Sequence, residues 1–202
     1  MKVIFLDIDG VLAVCHKDRD DYGSFFHEEY VENLKSIIDQ TGAKIVISSS
    51  WRKDGLKINQ EMWAKRNLPG EIIDSTPSIY GGKASVRYYN GYPDQHPTPR
   101  TFEVGIPRGL EIEYWLQNFA HFTRINYDKA VQLEYLEKSK VKNYIILDDD
   151  SDMLYSQREH YLRCSNQLGD DAIEGYGLTK DIAERAIGIL NTPLINLYYP
   201  ES

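Results

Sequence analysis

Asp7 and Asp9 stand one residue apart where an apolar run, Val3, Ile4, Phe5 and Leu6, comes to an end, and Gly10 follows them. A second acidic group, Asp148, Asp149, Asp150 and Asp152, ends another apolar run, "NYIIL". Between the two in the chain, "AKIVI" runs into Ser48, Ser49 and Ser50. Carboxylates gathered as bare anions raise one another's pKa and cost stability. A hard divalent cation removes that conflict, and magnesium prefers carboxylate, water and phosphate oxygens. Thiolate and imidazole sites are not on offer: the five histidines are scattered, and Cys15 and Cys164 lie far apart. On such a cation, one aspartate can attack phosphorus and form an aspartyl-phosphate. The other can protonate the leaving oxygen and then deprotonate water. Serine hydroxyls and backbone N–H groups at a strand end before a helix can hold a phosphate. Arg52 or Arg108 can neutralise the transferring group.

Strands must carry these residues and helices must separate the strands. Residues 2–7, "AKIVISSSW", "NYIILDDD" and the short "EIIDSTP" and "HYLRC" read as strands, the first of them continuously apolar and so buried on both faces. Residues 28–41 read as a helix, with Val31, Leu34 and Ile38 at helical spacing and Gly42 at its C-terminus. Residues 56–67 read as a second, with Ile58, Met62 and Trp63 near one face. Pro107 opens a third, whose stripe is Ile112, Trp115, Leu116 and Phe119. Residues 128–138 continue helically, and Thr179 N-caps a final helix that turns Ile182, Ala183, Ala186, Ile187 and Leu190 inward. Residues 10–27 read as a polar loop. Alternating strands and helices imply an α/β fold with an open parallel sheet and helices on both faces. Such sheets place function at the C-terminal ends of their strands. All three polar clusters sit at strand ends, so parallel pairing would bring them together.

"FLDIDGVL", "KIVISSS" and "YIILDDDSDM" resemble, in order, the first, second and fourth motifs of the haloacid dehalogenase (HAD) superfamily of phosphotransferases. The resemblance spans most of the chain and implies a single Rossmann-like HAD domain over residues 1–202. It implies Asp7 as nucleophile and Asp9 as general acid/base. It implies Mg2+ held by Asp7, Asp9, the carbonyl of Ile8, Asp149 and either Asp148 or Asp152. An aspartate at position 9 favours phosphate hydrolysis over dehalogenation within that superfamily. The phosphate-binding hydroxyl is expected from Ser49, with Ser48 as runner-up and Ser50 beside it, together with Arg52. The basic residue of the third motif is expected at Arg108, with Lys129 and Lys142 as alternatives. "SSSWR", "RGLEIEYWL" and "ILDDDSDM" further resemble small HAD domains of bacterial and phage proteins, including those fused to RNA-repair modules. That narrower likeness implies a phosphatase acting on nucleotides or on nucleic-acid ends.

Gly81, Gly82, Asn90, Gly91, Pro93, Pro97 and Pro99 punctuate residues 76–107, which read as a small hairpin-like insert. Too few residues separate Asp9 from the serines for a large cap, so the cap is small or absent. Lys83, Arg87, Tyr88, Tyr89, Tyr92 and Arg100 in the insert combine base-stacking and phosphate-binding chemistry, or else pack the hairpin itself. The formal net charge of −8 argues against a broad nucleic-acid footprint. It does not argue against one phosphorylated end, because much of the acid sits in the two clusters. Other readings are a non-catalytic phosphate- or metal-binding module on the same fold, a small-metabolite phosphatase, and a phospho-acceptor receiver domain. The opening residues do not form a signal peptide, and no run reaches the ~18 apolar residues of a membrane span. The expectation is a cytoplasmic protein with reduced thiols, a phosphorylated small molecule or nucleic-acid end as partner, no membrane, and no obligate protein partner.

Overall fold

The computed structural model describes residues 1–13, 19–86, 100–120, 137–164 and 177–194. In chain order it contains β1 (Lys2–Leu6), the two-residue strands β2 (Arg19–Asp20) and β3 (Gly23–Ser24), α1 (Glu28–Thr41), β4 (Lys44–Ile47), α2 (Leu56–Lys65), β5 (Ile72–Ser75), β6 (Tyr80–Val86), β7 (Arg100–Gly105), α3 (Arg108–Asn118), β8 (Asn143–Asp148), β9 (Tyr161–Arg163) and α4 (Lys180–Asn191). Five of the strands form one sheet of order β5-β4-β1-β8-β9, and every pairing in it is parallel. The fold is the α/β, Rossmann-like arrangement that the alternation of elements implies.

Strand periodicity decides which helix covers which face. Successive side chains of β1 point to opposite faces. Ile4 and Leu6 join Ile45, Ile47, Ile145 and Leu147 in a cluster with Leu34 and Ile37 of α1, Met62 and Trp63 of α2, and Ala183, Ala186 and Leu190 of α4. Val3 and Phe5 face the other way and join Val46, Tyr144 and Ile146 against Ile112, Trp115 and Leu116 of α3. Phe5 meets Trp115 and Tyr144 edge-on, at ring separations of 5.3 and 5.8 Å. β1 is therefore apolar on both sides because both sides are covered. The chain steps from β1 to β4 on one side and returns to β8 on the other. The point where strand order reverses lies at the C-terminal end of β1, the place where such sheets bind ligands.

The helix periods were legible but their phases were partly displaced. In α1 the fully buried positions are Leu34 and Ile37, with Val31 and Ile38 only half-buried. In α2, Ile58 is exposed while Met62 and Trp63 are buried. Phe119, just past α3, is likewise exposed. Residues 10–27 are not wholly loop, since β2 and β3 pair antiparallel within them. β6 and β7 form an antiparallel pair with Lys83 opposite Glu103 and Val86 opposite Arg100. The Asn90-Gly91 turn expected between them, with Arg87, Tyr88, Tyr89 and Tyr92, lies outside the described residues, as do Cys15 and nearly all of the helix expected at 128–138. No described helix is long and apolar enough to cross a membrane.

Candidate active site

The ladder carries β1 straight into the site: the Asp7 N–H donates to the Leu147 carbonyl at 2.9 Å. The chain then folds back on itself. The Ile8 carbonyl accepts from the N–H groups of Leu12 and Ala13, both at 2.9 Å, and from Val11 at 3.3 Å. Gly10 makes that turn with φ +75°, in the left-handed region. A Cβ at position 10 would lie 2.2 Å from an Asp149 carboxylate oxygen. The glycine after the two aspartates thus serves two ends, a sharp exit from the strand and room for the acidic loop of β8.

Asp7, Asp148 and Asp149 each present a carboxylate oxygen within 4.8 Å of the others. The first two are buried and the third is half-buried. Arg108, in the first turn of α3, reaches between them. Its Nη1 lies 2.8 Å from Asp7 Oδ2 and 2.7 Å from Asp148 Oδ2. Burial, reinforced by the charge of Asp7, pushes Asp148 up to about 7 against the pull of Arg108. Asp149 is raised by the same two causes, burial first. Burial opposes the charge of Arg108, but Asp7 and Asp148 more than offset it and hold the guanidinium protonated. The three carboxylates outnumber the one guanidinium that bridges two of them. A divalent cation bound through oxygen ligands would balance them, and these three aspartates fit such an ion by charge and by donor type.

The other expected ligands have different employment. The Ile8 carbonyl is filled by the turn's own N–H groups, so its lone pairs are not free for a cation. Asp152 is turned toward α3: its Oδ2 accepts the Arg108 N–H at 2.8 Å and its carbonyl accepts the Gly109 N–H at 3.3 Å. It caps that helix across the chain, satisfying donors that the helix itself cannot. Pro107, at the capping position, makes no side-chain cap, which is why the acid comes from elsewhere. Gly109 permits the approach, because a Cβ there would meet the Leu154 backbone nitrogen at 2.5 Å.

Asp9 stands apart from the three. Its Oδ2 accepts from the indole Nε1–H of Trp51 at 3.0 Å. This tether fixes the second aspartate beside the first without placing it in the metal-type cluster. β4 delivers the serines by the same logic as β1, with the Ser48 N–H on the Leu6 carbonyl at 3.0 Å. Ser49 is buried and its Oγ accepts from the Trp51 N–H at 3.3 Å. Ser48 is buried and its Oγ has no hydrogen-bond partner among the described residues. Ser50 is exposed.

Arg52 braces this loop from within. Its Nη1 donates to the Ser48 carbonyl and, at 2.9 Å, to the Ser49 carbonyl, and its Nη2 pairs with Glu111 at 2.5 Å. Both side chains of that pair are largely buried. Glu111 also accepts the Ile79 N–H at 2.8 Å, one residue before β6. Arg52 therefore holds the serine loop's backbone rather than pointing a free guanidinium at a phosphate. Arg108, the residue expected to supply the third-motif cation, is the one that contacts Asp7 and Asp148. Lys142 is exposed at the opposite strand end and donates to the Glu137 carbonyl, and Lys129 lies outside the described residues.

Trp51 and Glu111 hold Asp9 and Arg52 in place, although neither stands out in the sequence. Trp51 stood inside the quoted "SSSWR", yet nothing in its type announces a partner for Asp9. Glu111 adjoins Ile112 in the apolar stripe of α3, and that adjacency is its one sign in the sequence.

A family model described as "HAD domain in Swiss Army Knife RNA repair proteins" matches residues 3–169. No curated protein and no solved structure matches the chain.

Proposed function

The chain belongs to the HAD domains of the Swiss Army Knife RNA repair type, and from that membership and the site geometry we propose that it is a magnesium-dependent phosphohydrolase acting on a nucleotide or a nucleic-acid end phosphate. The observation that carries this reading is the junction of Asp7, Asp148 and Asp149 around Arg108, with Asp9 tethered alongside. Asp7, Asp148 and Asp149 would hold the cation, which when bound would supply charge neutralisation and orient the phosphate.

The rest is done by side chains. A carboxylate oxygen of Asp7 forms a bond to phosphorus while the bond from phosphorus to the leaving oxygen breaks. Asp9 gives that oxygen its proton. Water then attacks the phosphorus of the aspartyl-phosphate, Asp9 takes the water's proton, and inorganic phosphate leaves with Asp7 regenerated. Arg108 offsets charge on the phosphoryl oxygens from its place between Asp7 and Asp148. The hydroxyls of Ser48 and Ser49, on a loop whose backbone Arg52 braces, meet the same phosphate. The nucleic-acid part of the reading draws on the family description, which speaks of RNA repair. The expected location of such an enzyme is the cytoplasm.

Steady-state hydrolysis of p-nitrophenyl phosphate with Mg2+ tests this. Asp7→Asn should lose at least about 10³-fold in kcat, a typical order for removal of a covalent nucleophile. A wild type no faster than Asp7→Asn would leave a binding module on a catalytic fold.

A further inference from the structure

A cleft of about 520 Å3 opens beside Asp9, between the β2–β3 hairpin and the helical turn at Ser50–Asp54. Its walls include Arg19, Tyr22, Ser50, Trp51 and Asp54 as well as Asp9 itself. Asp9 is the group that would hand a proton to the leaving oxygen. Whatever is bonded to that oxygen must then lie on the Asp9 side of the phosphate, in this cleft. The volume far exceeds what a phosphate needs and falls in the range of small-molecule sites, roughly 300–1,000 Å3.

The walls are fixed in advance. Arg66, just after α2, grips the hairpin: its Nε and Nη2 bond both oxygens of Asp20 at 3.0 and 2.6 Å, and it donates to the Ser24 and Gly23 carbonyls at 3.0 and 3.1 Å. The same guanidinium lies over Phe26, 4.7 Å from the ring centre, and 5.9 Å from that of Trp51. Gly23 lets the hairpin close on Trp51, since a Cβ there would meet the indole at 3.0 Å. Trp51 is also fixed by its bond to Asp9. Two half-buried aromatic side chains, a cation and hydrogen-bonding groups thus border the leaving side of the reaction. Aromatic side chains in that setting stack planar bases regardless of base identity.

We infer that this cleft is the leaving-group subsite and that it receives the nucleoside carrying the scissile phosphate, its base against Trp51 and Tyr22. Arg66 is a positioning residue for it, acting through the hairpin. The inference rests on the phosphohydrolase reading for its direction, and its test is read by binding so that the two can fail separately. Tryptophan fluorescence of the Asp7→Asn protein with Mg2+ is titrated with adenosine monophosphate, with a 5′- and a 3′-phosphorylated dinucleotide, and with inorganic phosphate. The nucleotides should quench saturably and phosphate should not. The quench should vanish when Trp51→Phe is added, since Trp63 and Trp115 are buried elsewhere. Tyr22→Ala should weaken nucleotide binding about tenfold or more. A mononucleotide preference and a chain-end preference each support the cleft and say which source fills it. Equal quenching by phosphate, or an unchanged Kd in Tyr22→Ala, would overturn it. Wild-type protein that binds nucleotides in this way yet hydrolyses no phosphate ester would overturn the enzyme reading alone.

Discussion

Magnesium should stabilise this protein in proportion to how far Asp148 has lost its proton. Burial and the charge of Asp7 raise Asp148 from an ordinary carboxylate value to about 7 in the metal-free fold. The unfolded chain has no such constraint. The metal-free protein therefore binds more protons folded than unfolded between about pH 4 and 7, and its stability falls as pH rises through that window. The slope cannot exceed about 1.4 kcal/mol per pH unit for one such group. A cation must displace the same proton, so its affinity runs the other way. With one group titrating at about 7, the ionised fraction drops about 25-fold from pH 7.5 to 5.5, equivalent to about 2 kcal/mol of binding free energy. Thermal unfolding with and without Mg2+ at fixed excess, across pH 5 to 8, reads both slopes. The expected result is a Tm that falls with pH in EDTA, and a magnesium-induced rise in Tm that grows with pH. A magnesium effect of the same size at pH 5.5 and 7.5 would refute the carboxylate cluster as the binding site.

Other expectations follow from single contacts. Glu111→Ala leaves the largely buried Arg52 guanidinium without its carboxylate and should cost about 3 kcal/mol, read by denaturant unfolding. Gly10→Ala sets a methyl against Asp149 at a positive φ, and should abolish the magnesium-induced rise in Tm while the protein still unfolds cooperatively. Trp51→Phe keeps an aromatic ring but removes the donor to Asp9, and should lower kcat for p-nitrophenyl phosphate about tenfold or more, the order of one hydrogen bond to a charged group, with less change in KM.

The strands and the meeting of their polar ends were legible because β1, β4 and β8 are apolar runs that stop abruptly in aspartates or serines. Parallel pairing does the remainder, bringing together residues as distant as Asp7 and Asp148. What could not be read was how each polar group is used once there. Asp152 has the same type and neighbourhood as Asp149, yet it caps α3, because a proline-led helix needs an acceptor from outside. Arg52 has the type of a phosphate ligand, yet Glu111 and two carbonyls claim it. The Ile8 carbonyl is spent on a turn that hydropathy does not reveal. β2 and β3 are two residues each, too short for periodicity to mark, although they wall the cleft beside Asp9.

The central claim is that Asp7 takes the phosphoryl group. Acid-quenching the wild type during turnover of a phosphate ester with Mg2+, followed by peptide mass spectrometry, measures it directly. One phosphoryl group on Asp7, absent in Asp7→Asn and absent in EDTA, is the expected result. Sustained hydrolysis by the wild type with no phosphoryl group on Asp7, and equal turnover by Asp7→Asn, would contradict it.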